Sequence, residues 1–99
     1  MSLPVEIHAD AQAEFDEAVD WFQGLRSGAG VTFARAVKRA FDLIAAQPRM
    51  HAIVADDYRR APASGYPYYR VFYRDLGDRV RVVSVFHTSR DPAIWQGRV

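Results

Sequence analysis

YPYYRVFYRDLGDRVRVVSVFH, residues 66–87, decides the fold. In its first half Tyr69, Val71 and Tyr73 share one side while Arg70, Phe72 and Arg74 share the other, because side chains along a strand point alternately to opposite faces. Leu76-Gly77-Asp78 reads as a turn, and the run that follows is β-prone through His87. From Val82 to Phe86 that run is apolar at both parities, as in a central strand covered on both faces, and the pattern does not say which residue meets which layer. The reading is a hairpin at the heart of a sheet. One face of its first strand is expected to meet the core and the other to be functional.

Upstream, DYRRAP at 57–62 reads as a short strand stopped by Pro62, with ASGYP as the loop into the hairpin, and VEIH at 5–8 as another short β segment. Between them the period changes. Ala11, Phe15, Ala18, Val19 and Phe22 fall at helical spacing, with Asp10 as the expected cap and Gly24 just past the expected end. RSGAG at 26–30 is a turn signal, and a second helix is expected from about Val31 to Ala46, its stripe formed by Phe33, Val37, Ala40, Phe41 and Ile44 and its end set by Pro48. Asp16, Glu17 and Asp20 make the outer face of the first helix acidic; Arg35, Lys38, Arg39 and Asp42 lie opposite the apolar stripe of the second. Asp91-Pro92 reads as a cap followed by proline at the first helical position, so a short terminal turn is expected, with Trp95 folded back as a lid or left for a partner to cover. The class is α+β, in the order β-α-α-β-β-β. An N-terminal strand and a helical hairpin pack on a small, mostly antiparallel sheet, with residues 1–99 forming a single domain.

Composition narrows the chemistry. At 99 residues, 49% hydrophobic and 13% aromatic, the chain can bury a real core. With no cysteine there is no disulfide, thiol nucleophile or thiolate metal site, and His8, His51 and His87 are too dispersed to suggest a ligand pair. Neither a metal nor a cofactor is expected. No window approaches the roughly 18 apolar residues of a membrane helix, and MSLPVEIHAD lacks the pattern of a secretory signal, so a cytoplasmic protein is expected. Net charge is +1, but residues 1–56 carry five basic and eight acidic side chains, whereas residues 57–99 carry eight arginines and four aspartates. Twelve of the thirteen basic residues are arginine, whose planar fork suits phosphate and carboxylate.

No phosphate-binding glycine loop and no nucleophile elbow occurs. What remains is a set of cations on or beside the β segments, namely Arg59, Arg60, Arg70, Arg74, Arg79, Arg81 and Arg90, with His87 and several tyrosines among them. Cleavage of RNA by its own 2′-hydroxyl needs a base, a cation for the phosphate and an acid for the leaving oxygen. His87, with an ordinary pKa of about 6.5, suits one proton transfer, and Arg70 and Arg90 suit the phosphate. No second proton-transfer group is evident, since all three glutamates lie in the first strand and helix. The competing reading of His87 is a strand-end histidine bonded to a backbone group.

The helical hairpin, the R-x-x-P segment and the run YPYYRVFYRDLGDRVRVVSVFHTSRDP together closely resemble the RelE/ParE toxin superfamily, in particular its ParE-like, plasmid-stabilisation branch. The resemblance spans nearly the whole chain. It implies a toxin of a type II toxin–antitoxin pair, neutralised by a cognate antitoxin from the adjacent gene that wraps it with a disordered tail. Operator DNA would be bound only through that complex. RelE-like members cut messenger RNA on the ribosome; ParE-like members poison DNA gyrase and block replication. Arg70 and Arg90 match arginines of the nuclease branch, and Arg59 and Arg60 occupy the region of its catalytic lysines. Those lysines are absent here, as is the C-terminal catalytic tyrosine, to whose place Trp95 is nearest. The resemblance therefore points to a gyrase-directed toxin contacting its target through Arg59, Arg60, Arg70, Arg74, Arg81, Arg90 and Trp95. The alternatives are a ribosome-dependent endoribonuclease using His87, Arg70, Arg90 and Arg59, and an inactive remnant that binds antitoxin.

Overall fold

The computed structural model describes residues 2–99. Strand β1 (Val5–Ile7) leads into helices α1 (Ala9–Leu25) and α2 (Ala29–Ala46), followed by β2 (Ile53–Ala55), β3 (Tyr58–Pro62), β4 (Tyr69–Asp75), β5 (Val80–His87) and a 3-10 turn at Pro92–Ile94. The five strands form one sheet in the order β1-β5-β4-β3-β2, in which only the β1–β5 pairing is parallel. The architecture is the expected α+β arrangement with one strand more, β2. That strand has only three residues and sits between a turn and the left-handed Asp56 (φ 46°), too short for an alternation to register.

The helix ends differ from expectation for local reasons. His8, not Asp10, is the residue before α1, and its Nδ1 accepts the Asp10 backbone N–H at 3.0 Å; Asp10 falls in the first turn, where its charge meets the positive end of the helix. Gly24 lies inside α1, which runs one residue further. Helix α2 starts two residues early, behind Gly28 at φ 87°, which has no side chain with which to cap. Gln23 of α1 supplies the cap, its Oε1 accepting from the N–H groups of Gly28 at 3.1 Å and Gly30 at 3.2 Å. A Cβ on Gly30 would stand 2.7 Å from the carbonyl oxygen of Val19, so the close crossing of the two helices requires glycine there.

Two apolar clusters flank the sheet. Under the helices, Phe33, Val37, Phe41 and Ile44 of α2 and Ala11 and Ala18 of α1 meet Val71 and Tyr73 of β4 and Val80, Val82 and Val85 of β5. Phe22 stacks on Phe33 with centroids 4.7 Å apart, and Tyr69 meets the same ring at 4.9 Å. On the other face a smaller cluster joins Tyr58, Phe72, Val83, Phe86 and Trp95. The parity problem of β5 is resolved by a bulge: Phe72 pairs with Ser84 and Tyr73 with Val82, which leaves Val83 as the extra residue. Val82 therefore meets the helices and Val83 the second cluster.

The face of β4 that carries Arg70, Phe72 and Arg74 is thus partly roofed. Trp95, 3% exposed, lies on Phe72 with centroids 4.0 Å apart and planes 14° apart, and meets Tyr58 edge-on. Asp91 caps the terminal turn by accepting the Ala93 N–H at 3.0 Å, as its pairing with Pro92 predicts. The tail is then tied down twice, because the Tyr58 hydroxyl donates to the Arg98 carbonyl at 2.7 Å and accepts the Gly97 N–H at 3.1 Å.

Candidate functional site

The arginines of the β half are largely occupied. Arg59 donates to the carbonyl oxygens of His51 at 2.7 Å and Arg49 at 3.3 Å. Arg74 forms a forked pair with Asp57, at 2.9 Å for the shortest contact, and this bond holds the Asp57 carboxyl below the usual range and raises Arg74. Arg79 and Arg81 share Glu6, at 3.0 and 2.6 Å, which lowers the Glu6 carboxyl in turn. Arg70 folds back onto its own approach loop, donating to the carbonyls of Pro67 and Tyr69. Among the described residues Arg60 has no ion pair, and neither do Arg35, Lys38 and Arg39 on the outer face of α2. The exposed basic surface is thus shared with the helical hairpin. Charge counted along the chain misses this, because it does not show which cations find a carboxylate across the sheet.

The candidate nuclease set is scattered. His87 is paired with Tyr69 across the strands and Arg70 with Phe86, so His87 and Arg70 point to opposite faces of the sheet. Arg59 lies two strands away from β5, bonded near His51. Only His87 and Arg90 come together, at the end of β5.

There they line a groove of about 350 Å³ between that strand end and α1. It is lined by Val85 and Ala18, by the aromatic rings of Tyr69, Trp21 and His87, and by the polar residues Glu14, Glu17, Ser89 and Arg90. Nδ1 of His87 accepts the Ser89 backbone N–H at 3.0 Å and lies 2.7 Å from the Ser89 hydroxyl, which fixes the orientation of the ring. The ring also stands edge-on to Tyr69 at 5.0 Å and parallel to the exposed Tyr68 at 6.2 Å. Burial raises the Tyr69 hydroxyl above its ordinary pKa, and the charge of Glu17 adds to the effect.

Glu14 is the residue that sequence reasoning passed over. Strand β1 ends at Ile7, so among the described residues no strand neighbours that edge of β5 beyond Val82. Glu14 and Arg98 take its place. Glu14 Oε1 accepts from the Val85 N–H at 3.1 Å, the Ser84 hydroxyl at 2.8 Å and Arg98 at 2.9 Å, while Arg98 also donates to the Val83 carbonyl at 2.9 Å. The other carboxylate oxygen, Oε2, is buried without a hydrogen bond among the described residues, and Arg90 lies 3.8 Å from it. The helical period gave a signal, since Glu14, Ala18 and Trp21 follow at i, i+4 and i+7 on one side of α1.

Among the described residues no group of His, Asp and Glu is arranged to hold a metal, and no helix is long and apolar enough to cross a membrane.

This fold is similar to that of a chain in the structure described as the chromosomal ParDE TA system from P. aeruginosa. The two superpose with a TM-score of 0.75 over 87% of this chain and 96% of that one, at 10% sequence identity. No curated protein matches the chain in sequence. The model of the family described as the ParE toxin of the type II toxin-antitoxin system parDE matches residues 5–92. The chain belongs to that family. The last seven residues, which carry Trp95 and Arg98, fall outside the matched span.

Proposed function

We propose that this toxin acts by binding and inhibiting DNA gyrase in the cytoplasm, without catalysis of its own, and that a cognate antitoxin neutralises it. The observation that carries the reading is the dispersal of the acid, base and phosphate-binding candidates. His87 is bonded through Nδ1 to the Ser89 N–H and points away from the face bearing Arg70. A phosphodiester entering beside His87 would meet Glu14 and Glu17, and the nearby cations Arg98 and Arg90 are already engaged by Glu14. Each of these features disfavours RNA cleavage and leaves a protein-binding action as the better reading. Arg60 and the cations of α2 are the side chains left to engage such a target.

The antitoxin is proposed to add to an exposed sheet edge. Strand β2 is the terminal strand, with Ile53 and Val54 solvent-exposed, and offers main-chain groups together with apolar side chains. Operator DNA would be bound through the toxin–antitoxin complex. Induction of the toxin without its antitoxin is expected to give filamentous cells with DNA-damage signalling while messenger RNA stays intact. New transcript 5′ ends within minutes of induction would instead establish the ribonuclease reading, and harmless expression would establish the inactive remnant.

A further inference from the structure

We propose that β2 is the interface of a two-fold homodimer, in which this edge of one toxin molecule pairs antiparallel with the same edge of a second copy. The inference concerns the toxin by itself and does not depend on which protein it inhibits.

The main chain of that edge is prepared for a partner strand. Ile53 stands opposite Arg59, and the Arg60 N–H donates to the Ala52 carbonyl at 3.3 Å. Bonded and unbonded pairs alternate along an antiparallel ladder, so the N–H and C=O of Ile53 face away from β3, toward the open side of the sheet's terminal strand. Neither a charge nor a proline lies within Ile53–Ala55 to blunt the edge. A two-fold axis beside Ile53 sets this residue opposite its own counterpart and closes a symmetric pair of N–H···O=C bonds.

Two such bonds are too little for a dimer, and the side chains around them supply the rest. Leu43, Met50, Ile53 and Val54, which come from the last turns of α2 and the segment leading through β2, are 49, 57, 54 and 40% exposed. Pairing takes this apolar surface out of water on both copies at once. Charge selects the antiparallel arrangement of two identical strands. Arg49 precedes the strand and Asp56 follows it, so the two-fold axis brings Arg49 of each copy to the end of the other's strand, where Asp56 stands. Arg49 is 82% exposed, and its ion pair with Asp75, at 3.4 Å, uses Nε and leaves the terminal nitrogens of the fork free. Asp56 is exposed and has no ion pair among the described residues. A parallel pairing would instead set like charges side by side. With the antitoxin placed on the same edge, self-pairing and neutralisation exclude one another; this consequence alone rests on the function proposed above.

The test is sedimentation equilibrium of the purified full chain over rising concentration, with amide hydrogen exchange read at Ile53. The toxin is expected to pass from monomer to dimer as concentration rises, and exchange of the Ile53 amide to slow in step. Ile53→Lys, at an exposed position that leaves the core untouched, sets two like charges opposite each other across the axis and is expected to weaken the dimer at least about tenfold. Arg49→Glu is expected to weaken it about threefold at low salt, the smaller effect of an exposed ion pair. A monomer at every concentration, a dimer indifferent to Ile53→Lys, or an Ile53 amide that exchanges alike in monomer and dimer would overturn the interface. Antitoxin bound to an intact dimer would leave the interface standing and overturn the antitoxin's place on β2.

Discussion

Arg98 and Glu14, 84 residues apart in sequence, form a 2.9 Å ion pair that stands at the edge of β5 where β1 has run out. Together they satisfy a strand N–H and a strand C=O that would otherwise be left without partners inside the fold.

Arg98→Met is therefore expected to destabilise the protein by about 3 kcal/mol, because it leaves a carboxylate buried beside Ser84 with Arg90 3.8 Å from the far oxygen. Adding Glu14→Gln to Arg98→Met should recover part of the loss by removing the orphaned charge. Urea unfolding of the two single variants and the double variant measures both effects; strictly additive losses would show that the pair is not a unit.

The helical hairpin gives a second prediction. Gly30→Ala forces a methyl group against the Val19 carbonyl and Gln23, at a cost of about 1–3 kcal/mol. Gln23→Ala removes the shared cap and should cost about 1 kcal/mol. Midpoints from thermal unfolding check both, and an unchanged midpoint for Gly30→Ala would mean that the helices do not cross as closely as described.

Trp95 gives a third. Trp95→Ala uncovers Phe72, Val83 and Phe86 and is expected to cost about 3 kcal/mol. The variant should bind a hydrophobic dye that the parent excludes. Dye binding and fluorescence of the remaining Trp21 are the readouts.

These positions show how far the sequence could be read. Alternation in β4 and the two helical stripes identify the helix-facing core, because each has enough residues for its period to show. The parity of β5 was not legible: a bulge at Val83 shifts the register, and both sides are apolar. The site was less legible than the fold. His87 and Arg90 stand out at a strand end, but Glu14 and Arg98 acquire their meaning only from the absence of a strand beside Val83–Val85, a property of topology. The arginines of the β half could be counted but not paired, since Glu6 reaches Arg79 and Arg81 only through the parallel β1–β5 contact.

The fourth prediction concerns pH. Burial, helped by the charge of Arg59, lowers the His51 imidazole below its ordinary 6.5. The folded state thus binds this proton less readily than the unfolded chain, so the contribution to stability is complete above pH 6.5 and is lost as pH falls through the lowered value. Histidine NMR titration should place His51 under 6.5, and Arg59→Gln should move it part of the way back. A His51 titration at or above 6.5 would contradict the burial described here.

The most direct test of the proposed action is a supercoiling assay with purified toxin, purified DNA gyrase and relaxed plasmid. The account predicts that supercoiling is lost and cleaved plasmid–gyrase complexes accumulate, with both effects abolished by prior addition of the antitoxin. Undiminished supercoiling by a preparation that still arrests growing cells would contradict it.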